Sequence, residues 1–181
     1  QEGEAVHIAY PADFCLPSEL VEARGRVTFI CHPNSPSGTA VPIEAIRALA
    51  EQVAGLLVVD EAYVDFADAN ALALVHAYDN VVVLRTFSKS FSLAGMRIGL
   101  AFAAPSLIDE LSKVKDSYNV TRLSIVAATA ALADYAWMEA NVARIRRTRQ
   151  RLTKELRERG FFVLPSQSNF VLARRPGRNL E

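Results

Sequence analysis

Three short segments of this chain are apolar without alternation: Val27–Cys31 (VTFIC), Leu56–Val59 (LLVV) and Val81–Leu84 (VVVL). A strand with one wetted face alternates polar and apolar residues. A run that does not alternate needs cover on both sides, the environment of a parallel sheet between helices. The intervening sequence supplies such helices. Pro42 suits a first helical turn, Ile43, Ile46, Leu49, Ala50 and Val53 mark one helical face, and Gly55 stops the pattern. Ala69–Tyr78 reads as a second, shorter helix. Strand and helix in alternation predict βαβ units, hence an α/β fold: a three-layer sandwich around a mainly parallel sheet.

Further along, LAFAA (residues 100–104) reads as another strand and Pro105–Lys115 as a helix. From Arg122 to Arg159 the pattern is helical, with a break near Trp137, and Gly160 is the expected stop. FFVLPSQSNFVLARR (residues 161–175) then reads as two short strands of different texture. The expected organisation is a large domain over residues 1–120, a helical connection over 121–159, and the start of a small α/β C-terminal subdomain over 160–181. Gln1–Ile8 runs directly into strand-like sequence, so the chain reads as an excerpt from a longer protein, with Leu180-Glu181 as a cloning remnant.

Composition narrows the partners. No apolar run approaches the ~18–20 residues that span a bilayer, and two cysteines fit a reduced, cytoplasmic compartment better than a disulfide framework. Cys31-His32 hints at a metal, but no second Cys/His pair completes a site. Net charge is zero, yet residues 1–140 carry nine basic and seventeen acidic side chains, against eleven and three over residues 141–181. Within that basic part, Asn141–Arg159 carries eight basic and two acidic residues around an apolar stripe of Val142, Ile145, Leu152 and Leu156. Phosphate-backbone binding uses such a face. No base-reading or aromatic-stacking motif accompanies it, so a solvated or internally packed helix is the expectation, with no nucleic-acid partner.

The informative polar residues follow the strands. Asn34 lies in the turn-forming loop HPNSPSG after the first strand, Asp60 ends the second, and Thr86, Ser88 and Lys89 follow the third. Ligands of open α/β sheets bind at the carboxyl ends of the strands, so these residues are expected to meet at one rim. A lysine in a dry site readily loses its charge and can form a Schiff base with an aldehyde. Thr86, Ser88 and Arg97 offer two hydroxyls and a planar cation suited to phosphate. Asp60 can hold a proton on a heteroaromatic nitrogen. Aldehyde, phosphate and ring nitrogen together describe pyridoxal phosphate. Taken singly, each residue also has a plainer role: a solvated lysine, a capping aspartate, a turn asparagine, a surface arginine, or a core tyrosine at Tyr63.

Three segments in order carry more. NSPSGT, VVDEAYVDF and TFSKSFSLAGMRIG resemble the three signature segments of the fold-type-I, class I/II aminotransferases. Asn34 and Asp60 are 26 residues apart, Asp60 and Lys89 are 29 apart, and Lys89 and Arg97 are eight apart. VVDEAY and TFSK.F.LAG.R.G resemble the histidinol-phosphate aminotransferases within that family. The resemblance runs from about Val6 to Ala173 and implies a pyridoxal-phosphate-dependent transamination, with L-histidinol phosphate as amino donor and 2-oxoglutarate as acceptor, in a cytoplasmic homodimer. It implies that Lys89 carries the cofactor covalently and then shuttles the substrate proton. Asp60 would pair with the ring nitrogen. Asn34 and Tyr63 would bond the phenolic oxygen, and Thr86, Ser88 and Arg97 would hold the phosphate. Tyr118-Asn119 resembles a substrate-side segment.

The same resemblance places other parts outside this sequence. An N-terminal region of the family completes the phosphate cup and stacks an aromatic on the ring. A far C-terminal arginine binds the substrate carboxylate, and Arg174 and Arg175 lack its context. The expectation is a chain with much of the cofactor site and weak or no turnover. The alternatives are a threonine-phosphate decarboxylase or another class I/II aminotransferase, a non-catalytic sensor half of a regulator, and a dimerising scaffold with an empty site.

Overall fold

The computed structural model describes residues 3–175 and 177. Its centre is a four-stranded sheet in the order β1-β2-β3-β4. Strands β1 (Val27–Cys31), β2 (Leu56–Asp60) and β3 (Val81–Thr86) are parallel, and β4 (Gly99–Phe102) runs antiparallel to β3. A short helix α1 (Glu19–Glu22) precedes β1, and α2 (Ile43–Gln52) makes the crossover to β2. The sheet is α/β and mainly parallel, as the unbroken apolar runs predict.

One face of the sheet carries the main core. Ile30, Leu57, Val59, Val81 and Val83 pack against Ile46, Leu49 and Ala50 of α2. Full burial of each large aliphatic side chain is worth roughly 1.5–3 kcal/mol, so this contact fixes the register of the three parallel strands. On the other face Val58 and Val82 are buried while Phe29 of β1 is 68 % exposed.

Gly55 makes the close parallel pairing possible. The Leu56 amide donates to the Arg26 carbonyl at 2.9 Å, and a Cβ on Gly55 would lie 2.1 Å from that same oxygen. Only a residue without a side chain fits there.

Several predicted elements shift. Residues 3–8 form no strand, since among the described residues no neighbouring strand pairs with them. A strand exists by pairing, so strand-like composition alone does not create one. The helix expected at Ala69–Tyr78 shortens to a 3₁₀ turn at Leu72–His76, where the Asn70 side chain accepts from the Leu72 amide at 3.1 Å. The LAFAA strand becomes β4, two residues shorter at its C-terminal end.

The long helical stretch divides at Asp134 rather than near Trp137. Helix α3 (Pro105–Val114) comes first, then α4 (Arg122–Ala133) and α5 (Tyr135–Glu158). Gly160 adopts a left-handed φ of 81° and ends the run. Beyond it β5 (Phe162–Val163) pairs antiparallel with β6 (Ala173–Arg174). Met138 and Val142 of α5 bury against Phe66, with Tyr63, Phe91 and Ile145 around them. Leu180-Glu181 lies outside the described residues.

Candidate functional site

The carboxyl ends of the three parallel strands are locked at one level. Cys31 sits opposite Asp60 in register, and Asp60 opposite Leu84. The His32 amide continues this ladder by donating to the Asp60 carbonyl at 2.9 Å, and the Glu61 amide donates to the Leu84 carbonyl at 2.8 Å. Asn34, Asp60 and the Thr86–Lys89 turn therefore leave the sheet along one rim, where the sequence places them.

Each side chain has a local reason for its position. The Asn34 amide donates to the Thr39 carbonyl at 2.7 Å, the Gly38 amide donates to the Asn34 carbonyl at 2.8 Å, and Asn34 Nδ2 donates to Ser37 Oγ at 2.7 Å. That closed turn holds Asn34 half-buried. Asp60 accepts the Ala62 amide on Oδ1 at 2.9 Å. Among the described residues nothing bonds its Oδ2. Thr86 Oγ1 accepts the Ser88 amide at 3.1 Å, tightening the turn into Lys89.

Lys89 comes next to Tyr63, its Nζ 4.9 Å from the ring centroid. The amine forms no ion pair among the described residues and is exposed, as is Arg97. The expected dry setting for Lys89 is thus not provided by these residues, because nothing among them covers the outer side of the rim. Arg97 has a left-handed φ of 51° and donates from Nη1 to the Ala94 carbonyl at 2.9 Å. Gly99, two residues further on, lies opposite Thr86 in register, which brings Arg97 back towards the third strand end. Arg97 and Asn119 share a shallow cleft with Gly95, Met96 and Val120. Tyr118 is 87 % exposed and does not line that cleft.

Beneath the rim lie residues that sequence reasoning passed over. Glu61, fully buried beside Asp60, accepts from Arg85 Nε at 2.9 Å and pairs with Nη2 at 2.8 Å, both on Oε2. Its Oε1 accepts the Ala71 amide. Burial pushes the Glu61 carboxyl above its usual range, and the Ala71 amide and Arg85 oppose that push. Asp65 accepts the Ser90 hydroxyl and so ties the Tyr63 loop to the turn that carries Lys89. Motif reading stops at Asp60 and Lys89; the signal for their neighbours is only adjacency.

Burial, and then the Asp60 carboxylate, raise the pKa of the Cys31 thiol, while burial lowers that of His32. Among the described residues no group of three His, Cys, Asp or Glu is placed to hold a metal, and no helix is long and apolar enough to cross a membrane. On α5 the outward basic face is only part of the pattern. Arg146 pairs with Asp68, Arg149 Nη1 donates to the carbonyls of Phe66 and Ser168 at 3.1 and 2.7 Å, and Arg157 Nη2 donates to the Val163 carbonyl at 2.9 Å.

The rim therefore offers an unpaired primary amine, a carboxylate oxygen, an amide, a phenol, two hydroxyls and a guanidinium. This donor set fits a phosphorylated pyridine aldehyde: anion donors on one side, a proton acceptor for the ring nitrogen, and an amine for the aldehyde.

Known proteins agree in kind. Residues 15–180 match the sequence family described as aminotransferase class I and II. Histidinol-phosphate aminotransferase 1 of Nostoc sp. is 47% identical over 182 residues, covering 100% of this chain and 52% of that protein. The histidinol-phosphate aminotransferase of Syntrophotalea carbinolica is 52% identical over 155 residues, covering 86% of this chain and 45% of that protein. The chain thus spans about half the length of the curated relatives it matches. Among solved structures, the histidinol-phosphate aminotransferase of Sinorhizobium meliloti in complex with pyridoxal-5'-phosphate superposes with a TM-score of 0.84 at 31% identity, over 92% of this chain and 48% of that one.

Proposed function

We propose, from the premise that the chain belongs to the class I and II aminotransferase family, that it carries the cofactor-binding part of a histidinol-phosphate aminotransferase. The complete enzyme would pass the amino group of L-histidinol phosphate to 2-oxoglutarate, giving imidazole-acetol phosphate and glutamate, as a cytoplasmic homodimer. The observation that carries this reading is Lys89 Nζ beside the Tyr63 ring at the rim where the three strand ends are hydrogen-bonded together.

Pyridoxal phosphate, when bound, supplies an aldehyde for amine exchange and an electron-withdrawing ring. The chain's own residues do the rest. Lys89 Nζ would hold the aldehyde carbon and, when free, would act as the base that takes and returns the proton of the substrate Cα. Asp60 Oδ2 keeps a proton on the ring nitrogen, since its negative charge favours the cation beside it. Tyr63 and Asn34 donate to the phenolic oxygen. The Thr86 and Ser88 hydroxyls and the Arg97 guanidinium hold the phosphate by charge-assisted hydrogen bonds.

The exposure of Lys89 and Arg97 means that water exclusion needs cover from beyond these residues, as does the arginine for the substrate carboxylate. The division into residues 1–120, 121–159 and 160–181 belongs to the same proposal, and the isolated chain is expected to turn over weakly or not at all.

The test is covalent. The purified chain is mixed with pyridoxal phosphate, reduced with borohydride and mapped by peptide mass spectrometry. Label is expected on Lys89 and absent from Lys89→Ala. Label spread equally over surface lysines, or retained in Lys89→Ala, rejects the role. With the complete enzyme, glutamate formed from histidinol phosphate and 2-oxoglutarate then marks transamination, whereas CO₂ released from threonine phosphate marks decarboxylation.

A further inference from the structure

The loops that carry Asn34 and Tyr63 come from different strands, and the last rung of the backbone ladder between them is the His32 amide on the Asp60 carbonyl. A third segment holds them both. Residues 165–170 (PSQSNF) follow β5 and fold on themselves, with Ser166 Oγ donating to the Phe170 carbonyl at 2.5 Å and accepting the Ser168 amide at 3.1 Å. Gln167, in the middle, reaches both loops. Its amide donates to the Gly38 carbonyl at 2.7 Å, and its Oε1 accepts the Asp68 amide at 2.8 Å.

Two further contacts show that this is a fitted seat. Gly38 has a φ of 76°, and a Cβ there would lie 2.4 Å from Ser166 Oγ, so the turn and the segment touch backbone to side chain. On the other side the Phe170 ring meets Tyr63 edge-on with centroids 5.1 Å apart. Arg149 then anchors the seat from α5 by donating to Phe66 of the Tyr63 loop and to Ser168 of the segment.

We propose that Gln167 is a positioning residue for the cofactor site: it fixes the spacing between the Asn34 turn and the Tyr63 loop, and so the aim of their two donors at one acceptor atom. The turn is closed between Asn34 and Thr39, so holding Gly38 holds Asn34. The Tyr63 loop is held through Asp68. This rests on the cofactor reading above, because the shared acceptor is the phenolic oxygen. Donors aimed there stabilise negative charge on that oxygen and lower the proton affinity of the lysine-bound group. Loosening them raises it.

The experiment uses the 181-residue chain as it is, with Gln167→Ala and Gln167→Glu. Without cofactor, amide hydrogen exchange is measured by peptide. The Gln167 backbone amide keeps its bond to Gly38 in every variant, so loss of the side-chain acceptor for Asp68 is expected to raise exchange about fivefold in residues 62–68 and to leave residues 34–39, α2 and β3 unchanged. With pyridoxal phosphate, the visible band of the Lys89-bound cofactor is expected to titrate at higher pH in Gln167→Ala. Gln167→Glu, which keeps an acceptor at that place, restores both readouts.

Exchange rising evenly through the sheet, or a band midpoint that does not move while the Tyr63 loop loosens, overturns the positioning role. Should Gln167→Ala not fold, Gln167→Met, of similar length but with no amide acceptor, is read the same way. Failure of the unsubstituted chain to label Lys89 sinks the cofactor reading and the role in it. The exchange arm still decides separately whether the Gln167 side chain holds the Tyr63 loop.

Discussion

Replacing Arg85 with methionine tests what holds the strand-end rim in place. Glu61 has 0 % side-chain exposure and Arg85 25 %. Methionine keeps the chain length but removes both donors to Glu61 Oε2, leaving only the Ala71 amide on Oε1. Removing one partner of a buried pair costs about 3–5 kcal/mol, because the other charge stays desolvated and uncompensated. The partial exposure of Arg85 puts the expected loss near the lower end, about 3 kcal/mol.

The loss also depends on pH. Burial already pushes the Glu61 carboxyl up, with Arg85 among the groups opposing that push. In the variant that opposition is gone, so the folded pKa rises further above the unfolded value of about 4.3. A carboxyl raised in the folded state contributes its full stability below the unfolded pKa and loses it as pH rises through the folded pKa. The deficit of Arg85→Met is therefore largest at pH 8 and narrows towards pH 5. Urea unfolding followed by circular dichroism at the two pH values measures it. The double variant Glu61→Gln/Arg85→Met, with no charge left to strand, should be more stable than Arg85→Met alone at pH 8. A deficit below about 1 kcal/mol at pH 8, or one that does not shrink at pH 5, refutes the reasoning.

Two other substitutions separate fold from site. Gly55→Ala places a Cβ 2.1 Å from the Arg26 carbonyl oxygen and 2.8 Å from its Cα. All the close atoms are backbone, so β1 and β2 must part, at a cost of about 3 kcal/mol or more; an unchanged melting temperature would contradict this. Asp60→Asn can still accept the Ala62 amide, so its unfolding midpoint should hold. Its transamination rate in the complete enzyme should fall by about a hundredfold or more, and unchanged turnover would remove Asp60 from the proposed mechanism.

The parts of the fold that were legible share a cause. β2 and β3 were visible because unbroken apolar runs bounded by turn formers report local preference and two-sided burial together; β1 was visible from its β-branched and aromatic residues alone, since Val27 and Phe29 leave one of its faces exposed. α2 was visible from its apolar face and from Gly55. Elements whose form depends on a partner were read less well. Residues 3–8 have strand composition and, among the described residues, no paired neighbour, and residues 69–78 have helical composition over too short a span, with Asn70 intercepting the first turn.

The rim followed from the sequence for a similar reason. A turn after each parallel strand places Asn34, Asp60 and Lys89 at one edge wherever the sheet is continuous, so topology alone brings them together. What holds them there was decided only in three dimensions. Gln167 reaches Asp68 across 99 residues of sequence, and Arg149 reaches Phe66 across 83. Within α5, Arg149 looks like any of the other arginines on a basic helix. A hydrogen bond between a side chain and a distant backbone group leaves no periodicity behind, because any long polar residue at that place can form it. The residues that react, and the strands that carry them, were therefore written locally. Their spacing depends on contacts that exist only once the chain has closed on itself.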